Sequence, residues 1–161
     1  MTTATEIRVA DEVWIAAALL HREYPDRPDF AVQEIVERAS RENLAGISRP
    51  GVAVHAYLHC VANREPRPTG YRMLFATGPN TRRLYRPRDP TSPGRKGKTQ
   101  PRGDQIPARY HPLLGWYERE YCKRGGSHPL DALLALRGTG REIWKDEDPD
   151  AYVRRLREDW D

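Results

Sequence analysis

Apolar residues recur at helical spacing near the start of the chain. Val13, Ala17, Leu20 and Tyr24 mark one stripe, which Trp14 and Ala18 broaden. The pattern predicts a helix capped by Asp11 and running to about Glu23, ended by Pro25-Asp26-Arg27-Pro28. Phe30-Ala31-Val32 is a short apolar run that suits a strand. A second helix is predicted from Gln33 to about Asn43, with Val32, Ile35, Val36 and Ala39 on one face and Gly46 as its stop. Ser48-Arg49-Pro50 opens a third, because proline fits a first helical turn. Val54, Leu58 and Val61 are its expected buried stripe; His55, His59 and Asn63 form another, alongside Gly51 and Val52. Two strands follow, 71–75 and 82–85, joined by the turn residues Gly78-Pro79-Asn80.

The order helix, short strand, helix, helix, hairpin is that of a winged helix-turn-helix. The expected fold is therefore α+β: a winged-helix domain over 1–125 with a basic arm at 87–109 and a packing helix at 112–123. An extended α-helical tail over 126–161 follows the linker Arg124-Gly125-Gly126-Ser127. In the tail, Leu130 to Leu136 makes an apolar helical turn or two. Asp148-Pro149 opens a last helix striped by Tyr152, Val153, Leu156 and Trp160.

Charge changes the picture more than composition does. Hydrophobic content of 38% with 14 prolines and 12 glycines allows one core, concentrated in the first half. Residues 64–109 carry 12 Lys+Arg against 3 Asp+Glu, whereas residues 1–63 carry 6 against 9 and residues 140–161 carry 5 against 8. Such segregation points to a local polyanion contact, and double-stranded DNA is the expected partner. The candidate DNA-binding residues are Arg49, Val52, His55 and His59 on or beside the third helix, and Arg64, Arg67, Arg72, Arg82, Arg83 and Arg86 around it and the hairpin. Arg95, Lys96 and Lys98 in the arm complete the set. The arm is so poor in apolar residues that it cannot order itself in isolation.

His55 and His59 lie one turn apart and so could share a zinc ion with Cys60. On a helix, however, Cys60 points roughly 100° away from His59, and no further ligand group of recognisable spacing exists. Polar groups facing DNA are the favoured alternative, and neither a metal nor a cofactor is expected. No acid/base pair, nucleophile turn or phosphate-binding glycine loop stands out, so no enzyme activity is expected; Arg137-Gly138-Thr139-Gly140-Arg141 is too short for such a loop. With no apolar run near the roughly 20 residues that span a bilayer, no signal-peptide pattern at the N-terminus and two unpaired cysteines, a cytoplasmic, membrane-free protein is expected.

The tail carries a resemblance. Leu133-Leu134-Ala135-Leu136-Arg137-Gly138-Thr139-Gly140-Arg141-Glu142-Ile143-Trp144, followed by Asp148-Pro149-Asp150-Ala151-Tyr152-Val153-Arg154-Arg155-Leu156-Arg157-Glu158-Asp159-Trp160, resembles the toxin-wrapping end of type II antitoxins. The VapB-like group, which neutralises PIN-domain ribonuclease toxins, is the most similar. The resemblance covers about residues 130–160. It implies partner contacts at Leu133, Leu136, Arg137, Arg141, Ile143, Trp144, Tyr152, Val153, Arg154, Leu156, Arg157 and Trp160. Arg154, Arg155 or Arg157 would supply a guanidinium to an acidic pocket, with Arg157 the first choice. It also implies an antitoxin and transcriptional autoregulator, in a complex that can be a higher-order hetero-oligomer. That family's usual DNA-binding part is a swapped hairpin or ribbon-helix-helix, from which this chain departs. A winged-helix regulator with a self-association tail, or a DNA-binding accessory module of a nuclease system, are the other readings.

Overall fold

The computed structural model describes residues 6–47, 49–66, 70–124 and 154–155. Two units divide the chain, Met1–Arg124 and Gly125–Asp161. In the second, Arg154 and Arg155 are helical and exposed; the other predicted tail elements lie outside the described residues.

The first unit is a mixed α+β assembly of four helices and a small antiparallel sheet. Helix α1 (Val9–Glu23) is followed by β1 (Phe30–Ala31) and α2 (Val32–Glu42). Helix α3 (Gly51–Val54) continues as a π-helical turn (His55–His59), closed by Cys60 N–H donating to the His55 carbonyl at 2.9 Å. Strands β2 (Leu74–Ala76) and β3 (Thr81–Leu84) form the hairpin, and β3 lies between β1 and β2. Phe30 pairs with Arg82, and Leu74 with Leu84. Helix α4 (His111–Trp116) runs on through a π-helical stretch (Tyr117–Tyr121) to Arg124.

Helix α1 is the centre of the core. Val13, Trp14, Ile15, Ala16, Ala17 and Ala18 are all buried, so more than one face of it is covered. Helix α4 packs its aromatics against it: Trp14 meets Tyr117 edge to face at 5.5 Å. His21, buried on α1, accepts from Leu84 N–H at 3.2 Å, and the Tyr121 hydroxyl donates to the Leu84 carbonyl at 2.9 Å. Strand β3 is thus tied to both helices. Because Nε2 accepts, the His21 imidazole is neutral; burial, and then the nearby Arg86, Arg83 and Arg27 guanidiniums, lower its pKa to about 3.

Three local expectations are corrected. Asp11 is not the cap of α1; the helix starts earlier, with Arg8 at the N-cap, and Asp11 is fully buried in its first turn against Lys98 at 2.7 Å. Helix α2 ends at Asn43 in the left-handed region (φ 48°), before Gly46 is reached. The 87–109 segment is not a free arm. It is folded back on the unit through Arg95, Lys98 and Ile106. Gly97 lies so close to residue 70 that a Cβ there would stand 2.7 Å from the Gly70 carbonyl oxygen.

Candidate nucleic-acid interface

Of the predicted buried stripe, Val61, just past the end of α3, is buried, whereas Val54 and Leu58 on the helix face outward. Val52, Ala56 and Cys60 are buried, while Val54 is 45% exposed and Tyr57 and Leu58 are each 40% exposed. Both sets recur every fourth residue or so, and periodicity cannot choose between them. Val52 is therefore a core residue and leaves the set of candidate DNA contacts. His55 is half-buried, with Nδ1 2.9 Å from the Gly51 carbonyl, and its ring meets that of His59 at 4.8 Å. Burial lowers the His55 pKa. The zinc reading loses its third ligand, because Cys60 lies on the buried side and burial pushes its thiol pKa up. Among the described residues no three His, Cys, Asp or Glu groups could hold a metal ion.

The basic residues divide sharply. Arg82, expected on the hairpin surface, is fully buried. Its guanidinium donates to the carbonyls of Ala56 (3.2 Å), Gly78 (2.9 Å) and Thr81 (2.7 Å), so it ties the hairpin turn to α3. Arg95 is 3% exposed, and all five of its N–H groups are used. Nε donates to Arg64, Nη1 to His59 and Tyr71, and Nη2 to Leu58 and Glu65, at 2.6 to 2.9 Å. Leu58 and His59 supply carbonyls at the end of α3, where helical C=O groups lack intrahelical partners and a cation is favoured. Arg95 therefore serves as a C-terminal cap delivered from 36 residues along the chain.

Other candidates are also engaged within the fold. Arg83 holds Asp89 bidentately, both contacts at 2.7 Å, and lies 4.5 Å from the Phe75 ring centre. Arg49 pairs with the buried Glu12 at 2.6 Å and donates to the Ile7 carbonyl. Lys98 pairs with buried Asp11, whose carboxyl pKa is raised by burial against the lowering effect of Lys98. Arg72 donates to the Gly97 carbonyl at 3.0 Å, and Arg86 lies 4.4 Å over the Tyr121 ring. For Arg82 and Arg95, buried on the protein's own carbonyls, the assignment as phosphate contacts is corrected, and Arg49, Arg83 and Lys98 spend donors on buried or partly buried carboxylates; Arg72 is half-buried with only its Nε engaged. A buried guanidinium can be held by oxygens brought from many segments, which local charge counting cannot foresee.

What remains outward is smaller and differently placed. Arg64 and Lys96 are exposed, and both adjoin the α3 end that Arg95 caps. At the other end of α3, Arg8 is exposed and shares an open cleft of about 460 Å³ with Arg49, His55 and Tyr71. Arg8 and Arg88, also exposed, were missed because charge was counted by segment rather than by place. Arg67 lies outside the described residues. So do the predicted partner contacts Leu133, Leu136, Arg137, Arg141, Ile143, Trp144, Tyr152, Val153, Leu156, Arg157 and Trp160.

No protein-family model, curated protein or solved structure matches this chain. Among the described residues no helix is long and apolar enough to cross a membrane.

Proposed function

We propose that this is a winged-helix protein that binds duplex DNA through α3 and a second macromolecule through its tail. Within that class, our reading is an antitoxin that restrains a PIN-domain ribonuclease and represses its own promoter, with no catalytic step of its own. One observation carries the DNA-binding part. The order α1-β1-α2-α3-β2-β3, with β3 between β1 and β2, sets a helix pair beside a hairpin, and exposed cations stand at both ends of the second helix. A helix fits the roughly 12 Å major groove, and cations at its ends meet the phosphate rails that border it.

The tail's part rests on its residues. Leu133, Leu136, Trp144, Tyr152 and Trp160 would anchor a groove, and an arginine fork suits a pocket of carboxylates.

Duplex binding measured between about 50 and 200 mM salt tests the first half. Arg64→Ala with Lys96→Ala should weaken binding to every sequence and reduce the log–log salt slope by about 2. A wild-type protein that shifts no duplex at low salt overturns the reading. The second half is tested by co-purification with the product of a neighbouring reading frame, before and after truncation at Arg124. A partner retained without the tail overturns the assignment of the tail.

A further inference from the structure

The outward face of α3 poses a chemical question. Val54, Tyr57 and Leu58 stand at i, i+3 and i+4, the spacing that puts side chains on one helical face. Apart from the Tyr57 hydroxyl, this triad carries no hydrogen-bonding group. It is nevertheless tied to the fold: Arg95 donates to the Leu58 carbonyl at 2.7 Å, and the Arg82 guanidinium lies 5.7 Å from the centre of the Tyr57 ring. The exposed cations Arg8, Arg64 and Lys96 stand near the two ends of the helix rather than within this face.

An apolar strip bordered by cations complements a duplex groove, where phosphates form the borders and base edges the floor. In the major groove the base edges present donors, acceptors and a single apolar group, the C5-methyl of thymine. We propose that α3 selects DNA sites by apolar contact of Val54 and Leu58 with thymine methyl groups, not by bidentate hydrogen bonds to base edges. The proposal rests on the DNA-binding reading above and specifies what that surface recognises.

The test uses the full chain and a duplex selected from a random pool, with thymines replaced singly by deoxyuridine, which lacks only the methyl. At one or more positions the replacement should weaken binding about fourfold, the value of one buried methyl-sized group. Val54→Ser and Leu58→Ser should bring that thymine-to-uracil ratio close to one while leaving the salt dependence of binding unchanged. Both positions are on the surface, so both variants should fold. Equal wild-type affinity for thymine and uracil duplexes overturns this inference and leaves duplex binding standing. Binding to no duplex at low salt overturns the underlying reading instead. Self-association of the chain, abolished by Leu58→Ser, would reassign the face to a second copy and also overturn the inference.

Discussion

Leu58 and Arg95 meet at the end of α3, and their exposures run against their chemistry. The leucine is 40% exposed and the arginine 3%. Helix α3 offers two apolar stripes, and it buries the one with the smaller side chains, Val52, Ala56 and Cys60. The loop from 86 to 98 carries five cations against one carboxylate, yet two of those cations, Arg95 and Lys98, point into the protein. Side-chain polarity sets the cost of burial, but the oxygens waiting at the destination decide whether that cost is met. A helix end and a tight turn offer clusters of carbonyls that only a many-donor group can satisfy together.

The contrast is broken most severely at Arg95. Arg95→Ala would take the guanidinium donors from the carbonyls of His59, Arg64, Glu65 and Tyr71, and stability should fall by about 4 kcal/mol or more, measured by urea unfolding. Arg95→Lys should recover little, because three donors on one nitrogen cannot replace a five-donor fork. If Arg95→Ala unfolds at the wild-type urea midpoint, the capping role is wrong.

The next effect is on pH. The folded-state pKa of His21, about 3, lies below the unfolded value of about 6.5. The unfolded chain therefore binds the extra proton between these values. Stability is complete above about pH 6.5 and drains away as pH falls toward 3, by about 5 kcal/mol in all. Asp11, whose pKa is raised by burial, acts with the opposite sign at acid pH. The His21→Gln variant isolates the histidine: its stability–pH curve between 6.5 and 4 should be distinctly flatter than that of wild type.

Lys98→Ala comes third. It strands the Asp11 carboxylate in the interior and should cost about 3 kcal/mol near neutral pH. Combining it with Asp11→Asn should cost less than the two single losses together, a coupling visible in a double-mutant cycle. Additive losses would mean that the pair does not interact.

The smallest effect sharpens the other side of the comparison. Val54→Ser and Leu58→Ser, on the exposed face of α3, should each lower stability by only about 1 kcal/mol. A loss of several kcal/mol at either would return the face to the core.

The sequence by itself determined the elements whose pattern has a single solution. The dense apolar run of α1, the stripe of α2 and the Gly-Pro-Asn turn of the hairpin are local signals, and each was legible to within a few residues. The aromatic spacing of α4 was equally clear. The charge segregation was real as composition, but at the surface it was thinned by the buried Arg82 and Arg95 and the engaged Arg83 and Lys98. What only the tertiary structure decided was the phase of α3 and the direction of the cations. In α3 two stripes compete, and α1 and α2 accept the slimmer one; Val9 already lies 3.6 Å from where a Cβ on Gly51 would stand. For Arg95 and Lys98 the deciding partners are carbonyls and a carboxylate from distant segments, up to 87 residues away for Lys98 and Asp11, and Arg82 joins the carbonyls of its own turn to that of Ala56. A donor-rich cation goes wherever folding gathers enough oxygens to hold it, and that gathering is a property of the whole chain, not of any window along it.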